Sequence, residues 1–193
     1  EDKLTFAAIV LVAIVAIVGM IGFMGTGFTG FAASREGTLG ITFAGTADII
    51  LTQATCSLGS GYVDPAQTSA TISCSGTQTN WINTTAFAPN LMTLENNGST
   101  LVNVTLVSNA TATQFIGAGA TQQFKGTANE SSSCSGTLTG SLTALTTTDA
   151  LICTQLEYVN ANDNINIDYQ LSIPVNVTQG ARYAKITFTG TAL

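Results

Sequence analysis

INIDYQLSIPVNV, residues Ile165–Val177, alternates without a break: Ile165, Ile167, Tyr169, Leu171, Ile173, Val175 and Val177 share one parity, and Asn166, Asp168, Gln170, Ser172 and Asn176 lie on the other. Successive side chains of a strand point to opposite faces, so this period of two predicts a β-strand with one face in a core and the other in solvent. Pro174 has no N–H to give to a ladder, which puts the strand at an edge, gives it a bulge, or splits it there between two sheets.

Outward from this stretch the same grammar recurs. Val102, Val104 and Leu106 alternate with Asn103 and Thr105, and Ala184, Ile186 and Phe188 with Lys185, Thr187 and Thr189. Shorter candidates cover 39–44, 48–53, 69–74, 81–87, 91–95, 122–126, 137–144 and 151–158, separated by Gly, Asn, Ser and Asp. So many short strands with frequent turn signals predict a β-sandwich of Ig-like type, with a barrel as the alternative. Asn96-Asn97-Gly98 sits between two of them, and Asn and Gly accept positive φ, so residues 91–106 read as a hairpin.

The other end of the chain is of a different kind. No charged residue occurs from Leu4 to Ser34, and Phe6–Met24 reads FAAIVLVAIVAIVGMIGFM, an unbroken apolar run of the kind that spans a bilayer as a helix. Drawn as a straight helix, the uncharged stretch would be about 46 Å long against about 30 Å of hydrocarbon, more than spanning requires. Its side chains Leu4, Phe6, Ile9, Val10, Ala13, Ile14, Ile17, Met20, Ile21 and Met24 are the candidate contacts for polymerisation. Gly19, Gly22 and Gly25 recur every third residue; they either let neighbouring chains approach closely or loosen the helix ahead of the β-region. The fold class expected is therefore α+β, a long apolar N-terminal helix over 1–36 followed by an all-β Ig-like sandwich over 37–193.

A cleaved secretory signal has a basic start and an apolar run of about 7–15 residues, and this run is longer. The chain opens on Glu1 and Asp2 without Met, which leads to the expectation that an upstream piece has been removed ahead of the apolar run. That layout resembles archaeal type IV pilins and archaeal flagellins, over roughly the first 35 residues. Bacterial type IV pilins usually begin with Phe and carry Glu at the fifth position, whereas Glu1 and Thr5 stand here; the resemblance is to the archaeal form. It implies a membrane-resident precursor that assembles into a helical homopolymer through the apolar segment, an extracellular filament on the cell surface. A pilus for adhesion and an archaellum share this layout, and the former is favoured.

Composition narrows the function classes. Only 8% of residues are charged, far below the roughly 25% of an average domain, and Thr, Ser, Asn and Gly fill the polar positions. With five basic residues and a net charge of −6, no basic patch can hold phosphates, and nucleic acid is excluded as a partner. The chain has no histidine, so it lacks the usual general base and the commonest metal ligand. Asp48, Asp64, Glu95, Glu130, Asp149, Glu157, Asp163 and Asp168 read as dispersed solubilising charge rather than a catalytic pair. Asn162, Asn164, Asn166 and Asp168 mimic the start of a calcium loop, but Ile167 stands where that loop needs Gly and Ile173 where it needs Glu. Neither an enzymatic activity nor a cofactor nor a metal is expected.

Cys56, Cys74, Cys134 and Cys153 allow three pairings, and an even count beside an export segment favours two disulfides. Sequential pairing would close two loops of similar size, each adding about 3 kcal/mol by restricting the unfolded chain. Six Asn-x-Ser/Thr acceptors, Asn83, Asn97, Asn103, Asn109, Asn129 and Asn176, are candidate glycosylation sites, although a chain rich in Asn and Thr also makes such triplets by chance. From a different class, the alternative function is a membrane-anchored Ig-like surface or binding protein that uses the apolar segment only as an anchor.

Overall fold

A computed structural model describes residues 45–193. They form twelve strands: β1 Ile49–Gln53, β2 Gly61–Val63, β3 Ser69–Ser73, β4 Gln78–Thr79, β5 Trp81–Asn83, β6 Met92–Asn96, β7 Val102–Ser108, β8 Thr121–Ala128, β9 Thr143–Ala144, β10 Ala150–Leu156, β11 Asn164–Pro174 and β12 Ile186–Ala192. One short helix, α1 Ala112–Phe115, precedes β8; Thr111 caps it by accepting from the Gln114 N–H, while the Gln114 side chain accepts from the Thr111 N–H.

The expected α+β class is corrected. The described chain is nearly all β, and the four residues of α1 are its only helix. No helix among the described residues is long and apolar enough to cross a membrane. The long helix expected over 1–36, its ten candidate polymerisation residues and the strand expected over 39–44 lie outside the described residues.

β11 organises the larger sheet. β8 runs antiparallel along one flank of it from Ile165 to Ser172. The other flank is shared: β6 pairs with residues Asn164–Ile167 and β3 with Gln170–Pro174. β1 extends the sheet beyond β6, β4 beyond β3 and β9 beyond β8. The strand expected to lie at an edge, to bulge or to split between two sheets is thus the centre of its sheet. Pro174 is tolerated because it ends the strand. Its neighbour Val175 donates to the Thr68 carbonyl on the β3 side, so the missing N–H at Pro174 points the other way, past the point where β8 has ended at Thr121.

The second sheet has the order β10-β7-β12 and lies across from the first. Val102, Val104 and Leu106 of β7 and Ile152 and Leu156 of β10 are buried with Leu94, Phe124, Ile165 and Ile167 of the larger sheet in one core. Each such side chain contributes about 1.5–3 kcal/mol through burial. Gly126 of β8 allows a close approach of the layers, since a Cβ there would lie 3.1 Å from Ile152 Cδ1. The result is a β-sandwich, but with seven strands in one sheet and three in the other it departs from the four-plus-three arrangement of an Ig constant-type domain.

Two further expectations fail for identifiable reasons. The Asn96-Asn97-Gly98 turn does not close a hairpin, because β6 belongs to one sheet and β7 to the other. Buried Asn96 acts as a bracket there: its Nδ2 donates to the carbonyls of Thr100 and Leu156, and its Oδ1 accepts from the Gly98 N–H. The segment 137–144 is mostly irregular, and only Thr143–Ala144 forms a strand. Its backbone is divided between sheets, with Thr139 N–H donating to Ile152 of β10 and the Thr139 carbonyl accepting from Gly126 of β8. It closes one side of the sandwich instead of forming a ladder.

Candidate interaction surfaces

The two disulfides join Cys56 to Cys74 and Cys134 to Cys153, across 18 and 19 residues, and no free cysteine remains among the described residues. Cys74 continues β3, its N–H donating to the Tyr169 carbonyl, so the first bridge ties the loop before β2 to the centre of the larger sheet. Cys134 opens the segment that seals the sandwich side, and Cys153 lies fully buried in β10. Both bridges therefore hold irregular chain against a strand, where loop closure restricts the most freedom.

Asp168 is the buried charge of the larger sheet. It projects from the outer face of β11, yet only 4% of it is exposed, because the turn after Cys74 folds over it. Ser75 gives it two hydrogen bonds, from the backbone N–H at 2.9 Å and from the hydroxyl at 2.7 Å. Lys125, its register partner on β8, brings Nζ to 3.7 Å. This is the one ion pair among the described residues. Asn164 and Asn166 share the same outer face, and Asn166 is held by Thr93 and Asn129. The calcium-like run is thus a strand face bonded to its neighbours. No group of three or more His, Cys, Asp or Glu side chains is arranged to hold a metal among the described residues.

Of the eight carboxylates that look dispersed in sequence, five are gathered in space, while Asp168 lies in the middle of β11 and Asp64 and Asp149 lie toward its far end. The first residues of β11 meet the last of β6, so Asp163 lies beside Glu95, and the Asp163 N–H donates to the Glu130 carboxylate at 3.0 Å. Glu157 follows β10, whose end is fastened to Asn96, and Asp48 accepts from Asn97. This pole of the sandwich carries five carboxylates and, among the described residues, no cation. Burial first, then the charges of Glu95 and Glu130, push the Asp163 carboxyl above the ordinary aspartate range. What sequence reading missed is topology: the five residues come from five separate segments, and only the strand register brings them together.

The opposite pole is different. β11 is eleven residues long, which sets the poles roughly 35 Å apart at about 3.3 Å per residue. From its far end the chain continues as the loop Val177–Lys185, which carries Arg182 and Lys185, both exposed, and Tyr183, 87% exposed. Lys185 is fixed through its backbone to Asn109, whose Oδ1 accepts its N–H at 2.8 Å. Beside this loop an open cleft of about 1310 Å³ runs between the sheets, walled by Ile72, Leu171, Ile173, Ile186 and Phe188, with Tyr169 at its floor. The Tyr169 hydroxyl donates to Gln122 at 2.8 Å, and burial holds its pKa far above the ordinary phenol value, so it stays neutral.

The six glycosylation candidates fall into distinct settings. Asn83, Asn97, Asn109, Asn129 and Asn176 are exposed, and Asn103 is half-buried in β7 with its Oδ1 sealed and unpartnered. The amide nitrogens of Asn83 and Asn97 already donate, to Gln78 and Asp48. Asn109 and Asn129 use only their oxygens, toward Lys185 and Asn166.

In comparison with known proteins, the chain matches no family model, no curated protein and no solved structure.

Proposed function

We propose that this chain is the structural subunit of an extracellular filament of the type IV pilus kind, polymerised through its apolar N-terminal segment and sheathed by the β-domain. The observation that carries the reading is the joining, in one chain, of an uncharged stretch from Leu4 to Ser34 with a β-sandwich held by two disulfides. Two disulfides fit an oxidising setting outside the cell. An uncharged stretch of that length must be kept from water, by lipid before assembly and by other copies afterwards. The Thr-, Ser- and Asn-rich outer faces and the exposed glycosylation triplets suit a sheath that meets surfaces or other cells, and adhesion is the role that follows. This reading contains no catalytic step.

The test is electron microscopy of material sheared from the producing cells, with mass spectrometry of its main component. Thin filaments made of this chain are expected. Abundant chain in the membrane fraction without filaments would overturn the reading in favour of an anchored surface domain.

A further inference from the structure

Charge is unevenly spread along the long axis of the described domain. Asp48, Glu95, Glu130, Glu157 and Asp163 crowd one pole with no cation among the described residues, and Asp163, 5% exposed, is held inward beside Glu130. No salt bridge compensates any of them among the described residues. At the other pole, where the register also places Asp64 and Asp149, Arg182 and Lys185 have no carboxylate within ion-pairing distance among the described residues. They flank Tyr183, which presents nearly its whole ring to solvent. Arg and Tyr side by side on an exposed loop are the residue types that anchor protein interfaces. Of the described residues only Lys125, Arg182 and Lys185 are basic, and Lys125 is engaged with Asp168, so the loop holds both described cations that are outside an ion pair, with Arg182 donating to the Thr178 carbonyl.

We propose that the Val177–Lys185 loop of one copy docks on the carboxylate pole of a second copy, joining β-domains head to tail. The occupant is a second copy because the domain itself supplies the complementary charge. Complementary patches at opposite ends also make a heterologous contact, the kind that propagates into an open chain and does not close into a dimer. This inference rests on the filament reading and adds an axial contact in the outer sheath to the apolar contact of the N-terminal segments. Such a contact fixes register and orientation more than it adds affinity.

Charge reversal tests it in the full chain, with filaments sheared from the producing cells and counted by electron microscopy. Arg182→Glu with Lys185→Glu makes the loop acidic, and Glu95→Lys, Glu130→Lys and Glu157→Lys together leave two carboxylates against three lysines and so make the carboxylate pole basic. Each reversed variant alone is expected to lower filament yield or length at least tenfold, and co-expression of the two is expected to restore it, because each acidic loop then finds a basic pole and each basic loop an acidic one. Thermal melts of each variant, together with the milder Gln substitutions at the same five positions, separate a folding defect from an assembly defect. Wild-type-like filaments from both reversed variants would overturn the head-to-tail contact while leaving the filament reading intact. Loss in both without rescue by co-expression, in chains that melt normally, would equally overturn it and point to a different charged partner for each pole. If the wild-type chain forms no filaments, the filament reading fails and takes this contact with it.

Discussion

Two buried aspartates, Asp168 within β11 and Asp163 just ahead of it, do opposite things. Asp168 is surrounded by donors, and deleting its carboxylate would leave the Ser75 N–H and hydroxyl without partners under a closed turn. Asp168→Ala is expected to lower the unfolding free energy by about 2–3 kcal/mol in urea melts, the cost of orphaning buried donors. Lys125→Met should cost less than about 1 kcal/mol, since the lysine is partly solvated at 35% exposure and Asp168 keeps both Ser75 donors. Asp163 has only like charges beside it, and its carboxyl binds protons more tightly folded than unfolded. A group with a raised folded pKa favours the fold at low pH and loses that contribution as pH rises through the raised value. Asp163→Asn is therefore expected to raise the melting temperature at neutral pH, with the gain shrinking to nothing below the ordinary aspartate range. A variant no more stable than wild type at pH 7 would show that the carboxylate is compensated. The same side-chain view ranks the glycosylation triplets: Asn109, Asn129 and Asn176, whose amide nitrogens are uncommitted among the described residues, should carry more glycan than Asn83, Asn97 or Asn103. Glycopeptide mass spectrometry of filaments reads the order directly.

At the scale of elements, the irregular segments depend on the cross-links and the strands do not. β11 has strands on both flanks along most of its length, whereas the Cys134–Thr139 segment holds the two sheets together through single hydrogen bonds and one disulfide. Replacing Cys134 and Cys153 by Ser should cost about 3 kcal/mol from the lost loop closure, somewhat more if buried Cys153 leaves a poorly packed hydroxyl. Hydrogen exchange should show the loss first at Gly126 and Thr139, where the sheets are linked; uniform loss across the domain would mean the bridge acts on the unfolded chain alone. The strands with unbroken alternation, β7, β11 and most of β12, were readable because one face of each meets the core and the other does not. β2 and β4 were not, being two or three residues long and set by their partners rather than by any period. The Asn96-Asn97-Gly98 turn misled for a related reason. Turn chemistry says that the chain reverses, while the buried amide of Asn96, bonded to Leu156 of the other sheet, decides where it goes next. The charge poles were unreadable on the same ground, since register across four strands, and not spacing along the chain, assembles them.

Across the whole molecule, two kinds of contact with opposite responses to salt are expected to hold the polymer. Burial of the apolar segment is strengthened or unaffected by added salt, because it depends on excluding water from hydrocarbon surface. The contact between poles involves exposed charges and is screened, with a Debye length falling from about 10 Å at about 0.1 M to about 3 Å at about 1 M salt. Each exposed ion pair is worth at most about 1 kcal/mol, too little to hold subunits together alone but repeated at every axial contact. Filaments moved from low salt to about 1 M sodium chloride should therefore stay assembled while becoming more flexible, since screening removes the outer contact and leaves the inner one. Persistence length measured from micrographs at the two salt concentrations checks this. Dissolution at high salt would mean that ionic contacts, not the apolar segment, carry the assembly; unchanged stiffness would mean that the poles never meet. The Arg182→Glu and Lys185→Glu double variant, in any short filaments it forms, should be as flexible at low salt as the wild type is at high salt, because both lack the same contact.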